Sequence, residues 1–128
     1  MLSDFRGKVV VISFFGTWSE QCGYYVSRLE ELYSTFGDND LVVVAVTAES
    51  DCDAVKRYCE EHGITFPVLV GGMEVFRQYK VGGIPDLLCI DNRGIVRYRT
   101  VGYKPETEND LKTAVMILME EIDLFTLK

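Results

Sequence analysis

The chain has 128 residues, 48% hydrophobic and 26% charged, which fits a single domain over 1–128 with a real core. Its formal net charge is -7, from 20 acidic against 13 basic residues, and it has no basic run able to track a phosphate backbone, which argues against nucleic acid as a partner. No apolar run approaches the roughly 18 residues of a membrane span; the longest, Val9 to Phe15, is strand-sized and broken by Ser13.

In chain order, "MLSDFRGKVVV" runs almost directly into a strand without a signal-peptide pattern, as expected of a segment cut from a longer protein, and it leaves the compartment open. "KVVVISFF" is a continuous, β-branched apolar run, the mark of a buried central strand. Ser19 to Tyr33 reads as a helix with Val26, Leu29, Leu32 and Tyr33 on one side. "GDND" is a turn and "LVVVAV" a second buried strand. Asp51 to His62 reads as a helix ending at Gly63. "TFPVLV" is a short extended segment and Glu74 to Tyr79 a short helix. "DLLCI" and "IVRYR" flank "DNRG", a hairpin signal. "TENDLKTAVMILMEEI" is a last amphipathic helix, with Leu111, Val115, Leu118 and Ile122 at helical spacing. Leu124, Phe125 and Leu127 lie beyond its clean stripe, free to pack on the domain, a second copy or a further segment. The order β-α-β-α-β-α-β-β-α predicts an α/β fold, a mixed central sheet with helices on both faces. Strands joined by helices are expected to be parallel.

The stretch "FFGTWSEQC" places a short loop between the first strand and a helix starting at Ser19. Open α/β sheets put their sites at such carboxyl ends. A cysteine in the first helical turn there meets exposed N–H groups and the positive end of the helix dipole, which favour thiolate. A Cys-x-x-Cys pair suits this place because the outer thiol attacks and the inner one resolves the mixed disulfide. Here the spacing is kept, but Ser19 stands at the outer position and Cys22 at the inner.

The segments "LSDFRGKVVVISFFGTW", "VVVAVTAES", "YCEEHGITFPVLV", "YKVGGIP" and "CIDNRGIV" together resemble the TlpA/ResA-like branch of the thioredoxin superfamily. The resemblance implies a thioredoxin-like fold and disulfide reduction or exchange outside the bacterial cytoplasm, hence a periplasmic setting. It also implies a cis proline facing the active site, matched by Pro85 in "GGIP" with Ile84 before it. Glu49 in "AES" matches an acidic residue near the active-site pair, and Trp18 the tryptophan before that pair. The chain departs from the pattern at Ser19, at Glu20 and Gln21 where prolines are frequent, at Asp86 where a threonine is usual, and at Ser27 in place of a kink-forming proline.

Ser19 decides most of the chemistry. A hydroxyl cannot exchange with a disulfide, whereas serine is among the best helix N-caps. Around Cys22, Glu20 in sequence and Glu49 and Asp86 in space are expected to oppose the dipole and raise its pKa. Trp18, Ile84, Pro85 and Asp86 form the expected substrate groove for protein thiols, disulfides or an extended peptide. If any cysteine resolves an oxidised Cys22, Cys52 is the candidate, at the carboxyl edge just past the second strand. Cys59 and Cys89 read as core hydrophobes, and His62 as a helix-end residue before Gly63. One of Tyr24 and Tyr25 faces the core or both form a recognition surface. Cysteine spacing and a single His match no zinc site, and no cofactor is expected.

Three functions follow: a thiol–disulfide oxidoreductase with an incomplete site and weak or absent dithiol exchange; a redox-inactive peptide- or protein-binding module using the Pro85 groove; and a peroxiredoxin-like peroxidase. In the last, Cys22 of "SEQC" attacks peroxide, Ser19 hydrogen-bonds it, and Arg97 or Arg99 supplies the cation. The proline expected in that site is replaced by Phe15.

Overall fold

Seven consecutive buried residues, Val9–Phe15, form β1, the middle strand of a five-stranded sheet. This is a computed structural model; it describes the backbone of residues 7–37, 40–102 and 105–126, and the side chains among them except at 20, 105–109 and 122–126. The expectations for Ile122, Leu124, Phe125 and Leu127 concern side chains outside the described residues. After β1 come α1 (Glu20–Phe36), β2 (Leu41–Thr47), α2 (Cys52–Glu61), β3 (Val68–Leu69), α3 (Met73–Gln78), β4 (Asp86–Ile90), β5 (Val96–Val101) and α4 (Pro105–Thr126). The element order matches the sequence reading throughout.

The sheet order is β3-β2-β1-β4-β5. β1 and β2 are parallel from Val9↔Leu41 to Phe15↔Thr47, so their carboxyl ends lie side by side. β2 and β3 are also parallel, whereas β4 runs antiparallel to both β1 and β5. The expectation that helix-joined strands are parallel therefore fails at β4. The reason is length. Six helical residues rise about 9 Å, against about 23 Å for a seven-residue strand. So α3 cannot carry the chain back to the start of β1. The chain leaves α3 through Lys80, at φ 54, and β4 begins at the carboxyl edge, where Asp86 pairs with Phe14.

Strand alternation divides the interior into two layers. Val9, Val11, Phe15, Val43, Leu87 and Cys89 pack with residues of α1, α2 and α4, among them Cys22, Val26, Leu29, Tyr58, Leu111 and Val115. Val10, Ile12, Phe14, Leu88 and Ile90 pack on the other face against Val75, Phe76 and Tyr79 of the α3 segment. Phe14 meets Phe76 edge-on at 5.0 Å between ring centroids. Of the tyrosine pair, Tyr25 is fully buried and Tyr24 is 49% exposed, so the adjacent rings divide between core and surface.

Candidate active site at the carboxyl edge

The Phe15↔Thr47 register brings the loop after β1 against the loop after β2. Thr17 and Glu49 meet there. The Glu49 carboxylate accepts from the Thr17 backbone N–H at 3.1 Å, the Thr17 hydroxyl at 2.5 Å and the Thr47 hydroxyl at 2.8 Å. The Thr47 hydroxyl in turn accepts from the Glu49 N–H at 3.2 Å. Glu49 thus braces the approach to α1. Neither threonine is evident from the sequence as a site residue; the signal was their position one strand apart at matching carboxyl ends.

Ser19 is the N-cap of α1. It has extended backbone angles, and its Oγ accepts from the Cys22 N–H at 3.4 Å. Cys22 lies in the first turn beneath it and is 0% exposed. Trp18 is 69% exposed, with its ring folded back over Gly16, where any Cβ would collide with it. The Ile84–Pro85 peptide bond is cis, as the "GGIP" match implies, and Pro85 is buried at the head of β4. Ser27, further along α1, donates its hydroxyl to the Gly23 carbonyl at 3.2 Å.

Asp86 is not beside Cys22. It shares the parity of Leu88 and Ile90, which pack against the α3 segment, whereas Leu87 and Cys89 share the layer of Cys22. Its buried carboxylate accepts from both Arg99 Nε, at 3.1 Å, and an Arg99 terminal nitrogen. The same guanidinium donates to the Tyr79 carbonyl at 2.9 Å. The charge expected to burden Cys22 is therefore directed to the other face and paired. Arg97 binds Glu121 and Asp91. Both arginines proposed as cations for peroxide chemistry are thus engaged with carboxylates.

All four cysteines are free: Cys22 and Cys89 are buried, Cys59 is intermediate and Cys52 is exposed. Cys52 opens α2 at the carboxyl edge, where the sequence puts it. Burial pushes the Cys89 thiol up to about 12, in keeping with a core residue, and burial followed by the nearby Glu60 charge raises that of Cys59. Among the described residues, no group of three or more His, Cys, Asp or Glu side chains could hold a metal, and no helix is long and apolar enough to cross a membrane.

Tyr58 is a neighbour the sequence reading passed over, and His62, read there as a helix-end residue, is its partner. They stack at 4.1 Å between ring centroids, at the end of α2 that reaches Gly23 of α1. A Cβ on Gly23 would lie 3.3 Å from His62 Nε2 and 3.7 Å from the Tyr58 hydroxyl. Their helical i,i+4 spacing is legible in sequence; their meeting with α1 is not.

Comparison with known proteins bears on this geometry. Residues 1–99 match the AhpC/TSA family. The thiol–disulfide oxidoreductase ResA of Geobacillus kaustophilus is 32% identical over 102 residues, covering 79% of this chain and 59% of the relative. ResA of Bacillus thuringiensis is 32% identical over 114 residues, covering 87% of this chain and 66% of the relative. This chain therefore spans somewhat less than two thirds of either relative's length. Among solved structures, the thiol:disulfide interchange protein of the thioredoxin family from Chlorobium tepidum superposes with a TM-score of 0.80 at 24% identity, over 91% of this chain and 83% of that one. The chain belongs to the AhpC/TSA family, is a sequence relative of the ResA thiol–disulfide oxidoreductases, and carries the thioredoxin-like fold.

Proposed function

We propose that this chain is a single thioredoxin-like domain of the thiol–disulfide oxidoreductase kind that engages protein thiols or disulfides but, by itself, exchanges disulfides weakly or not at all. One observation carries the reading. The first turn of α1 presents an oxygen, Ser19 Oγ, as the cap accepting from the Cys22 N–H, and its sulfur, on Cys22, is 0% exposed. Exchange needs a thiolate that reaches the disulfide and a second thiol to release the mixed disulfide. The Ser19–Cys22 turn supplies one sulfur, set inside.

Ser19→Cys tests this directly. The unaltered chain is expected to show little or no turnover of a protein disulfide, and the variant a marked gain. Turnover by the unaltered chain that the substitution does not raise would overturn the reading. A second reading, a binding module for an extended peptide at the Pro85 edge, is favoured by the exposed indole of Trp18, a large apolar surface kept open to solvent. The two arginines offered as the cation for the peroxidase reading, Arg97 and Arg99, are both engaged with carboxylates, which weighs against that reading.

A further inference from the structure

We infer that Tyr58, on α2, is a positioning residue for Cys22, its hydroxyl serving as the hydrogen-bond donor to the Cys22 sulfur when that sulfur is a thiolate. The inference rests on the reading of Cys22 as the retained thiol of the site.

Tyr58 is 8% exposed, and its hydroxyl oxygen is buried with no hydrogen-bond partner. Buried phenols almost always find a partner, so an orphan calls for an acceptor supplied by solvent or by another state of the site. The ring is held on two sides. Phe15, the last residue of β1, lies 5.7 Å away between centroids, and His62 stacks at 4.1 Å. The hydroxyl is thereby set against the first turn of α1, 3.7 Å from the point a Cβ of Gly23 would occupy, and Gly23 follows Cys22 directly. Cys22 and Tyr58 belong to the same buried layer.

His62 is oriented as well. The Tyr58 carbonyl accepts from the His62 backbone N–H at 3.0 Å and lies 3.0 Å from Nδ1. A carbonyl can only accept, so Nδ1 carries the hydrogen, and Nε2 is turned toward α1. The ionisable groups around the Tyr58 hydroxyl are Cys22 on α1, Cys59 and His62 on α2, and Glu49 in the β2–α2 loop. Burial first, then the negative charge of Cys22, Cys59 and Glu49, pushes the phenol up to about 12. The hydroxyl therefore keeps its proton at neutral pH and can only offer it. Glu49 is already occupied by Thr17 and Thr47. With Nδ1 carrying the hydrogen, His62 Nε2 is also an acceptor on that side. Cys22, deprotonated to solvent base, is the acceptor there that gains a charge, and a hydrogen bond to the charged form favours it.

The test is a pH titration of Cys22 in the full chain, followed by NMR through its labelled Cβ. In Tyr58→Phe, which keeps the ring and both stacking contacts, the Cys22 midpoint is expected to rise by about one unit, leaving about tenfold less thiolate below it. The coupling is reciprocal, so in Cys22→Ser the Tyr58 phenol, read at its labelled ring carbon, is expected to titrate lower. An unchanged Cys22 midpoint in the first variant, or an unmoved Tyr58 midpoint in the second, overturns the inference. Both shifts present in a chain that never turns over a disulfide, even as Ser19→Cys, would uphold this assignment while removing the proposed function.

Discussion

Asp86 shows what one residue's parity decides. It follows Pro85 directly, yet its carboxylate is delivered to the layer opposite Cys22, where Arg99 receives it. Arg99→Ala would leave a 0%-exposed carboxylate unpaired. Removing one partner of a buried pair costs about 3–5 kcal/mol, and since Arg99 is partly exposed the lower end applies. A loss of about 3 kcal/mol in a urea unfolding curve is the expected outcome. The same residue marks a limit of sequence reading. Proximity to Pro85 was legible; the face was not, because it depends on β4 entering antiparallel. Ser19 was fully legible, since its cap uses only local backbone geometry. Tyr58 was not, because its role depends on α2 meeting α1 at Gly23.

Among the elements, the β4–β5 hairpin depends on a single carboxylate. Asp91 is buried and accepts from the backbone N–H groups of Arg93 at 2.9 Å and Ile95 at 3.0 Å, and from Arg97 at 3.2 Å. Burial alone would push this carboxyl up, but those hydrogen bonds and the Arg93 charge outweigh it and hold it below the usual carboxylate range. The folded value is thus lower than the unfolded one. The associated stability is present above the unfolded value of about 3.9 and is lost as pH falls through the folded one. Asp91→Asn is expected to lower stability at neutral pH by about 2 kcal/mol and to flatten its acid decline, read by urea midpoints across that range. The hairpin itself was plain from "DNRG" between two β-rich runs. The short α3 was also legible, but not its consequence, since strand direction depends on the distance a connection must cover rather than on any local pattern.

Across the molecule, β1 has two strands on each side and a packed layer on each face. Its amides are expected to exchange with solvent most slowly, and those of the two-residue β3 among the fastest, in a hydrogen-exchange experiment resolved by segment. Fold class and strand order of types were readable because apolar runs and turn signals report burial directly. The site was readable where one segment builds it, as at Ser19, or where a quoted motif names the partner, as at Glu49 and Pro85, and unreadable where two helices meet, as at Tyr58. The Arg99 contacts extend this to motion. One planar side chain on the edge strand touches the Tyr79 carbonyl at one end of a crossover and Asp86 at the other. The stretch between them, Lys80 to Pro85, is therefore clipped into a ring without a covalent bond. Such a ring has already lost most of the closure entropy a free loop would surrender on gripping a partner. If the proposed groove is used, the rim that carries Ile84 and Pro85 would meet its partner with its shape already set, by a residue on β5, two strands from the β1 that leads into the Cys22 helix.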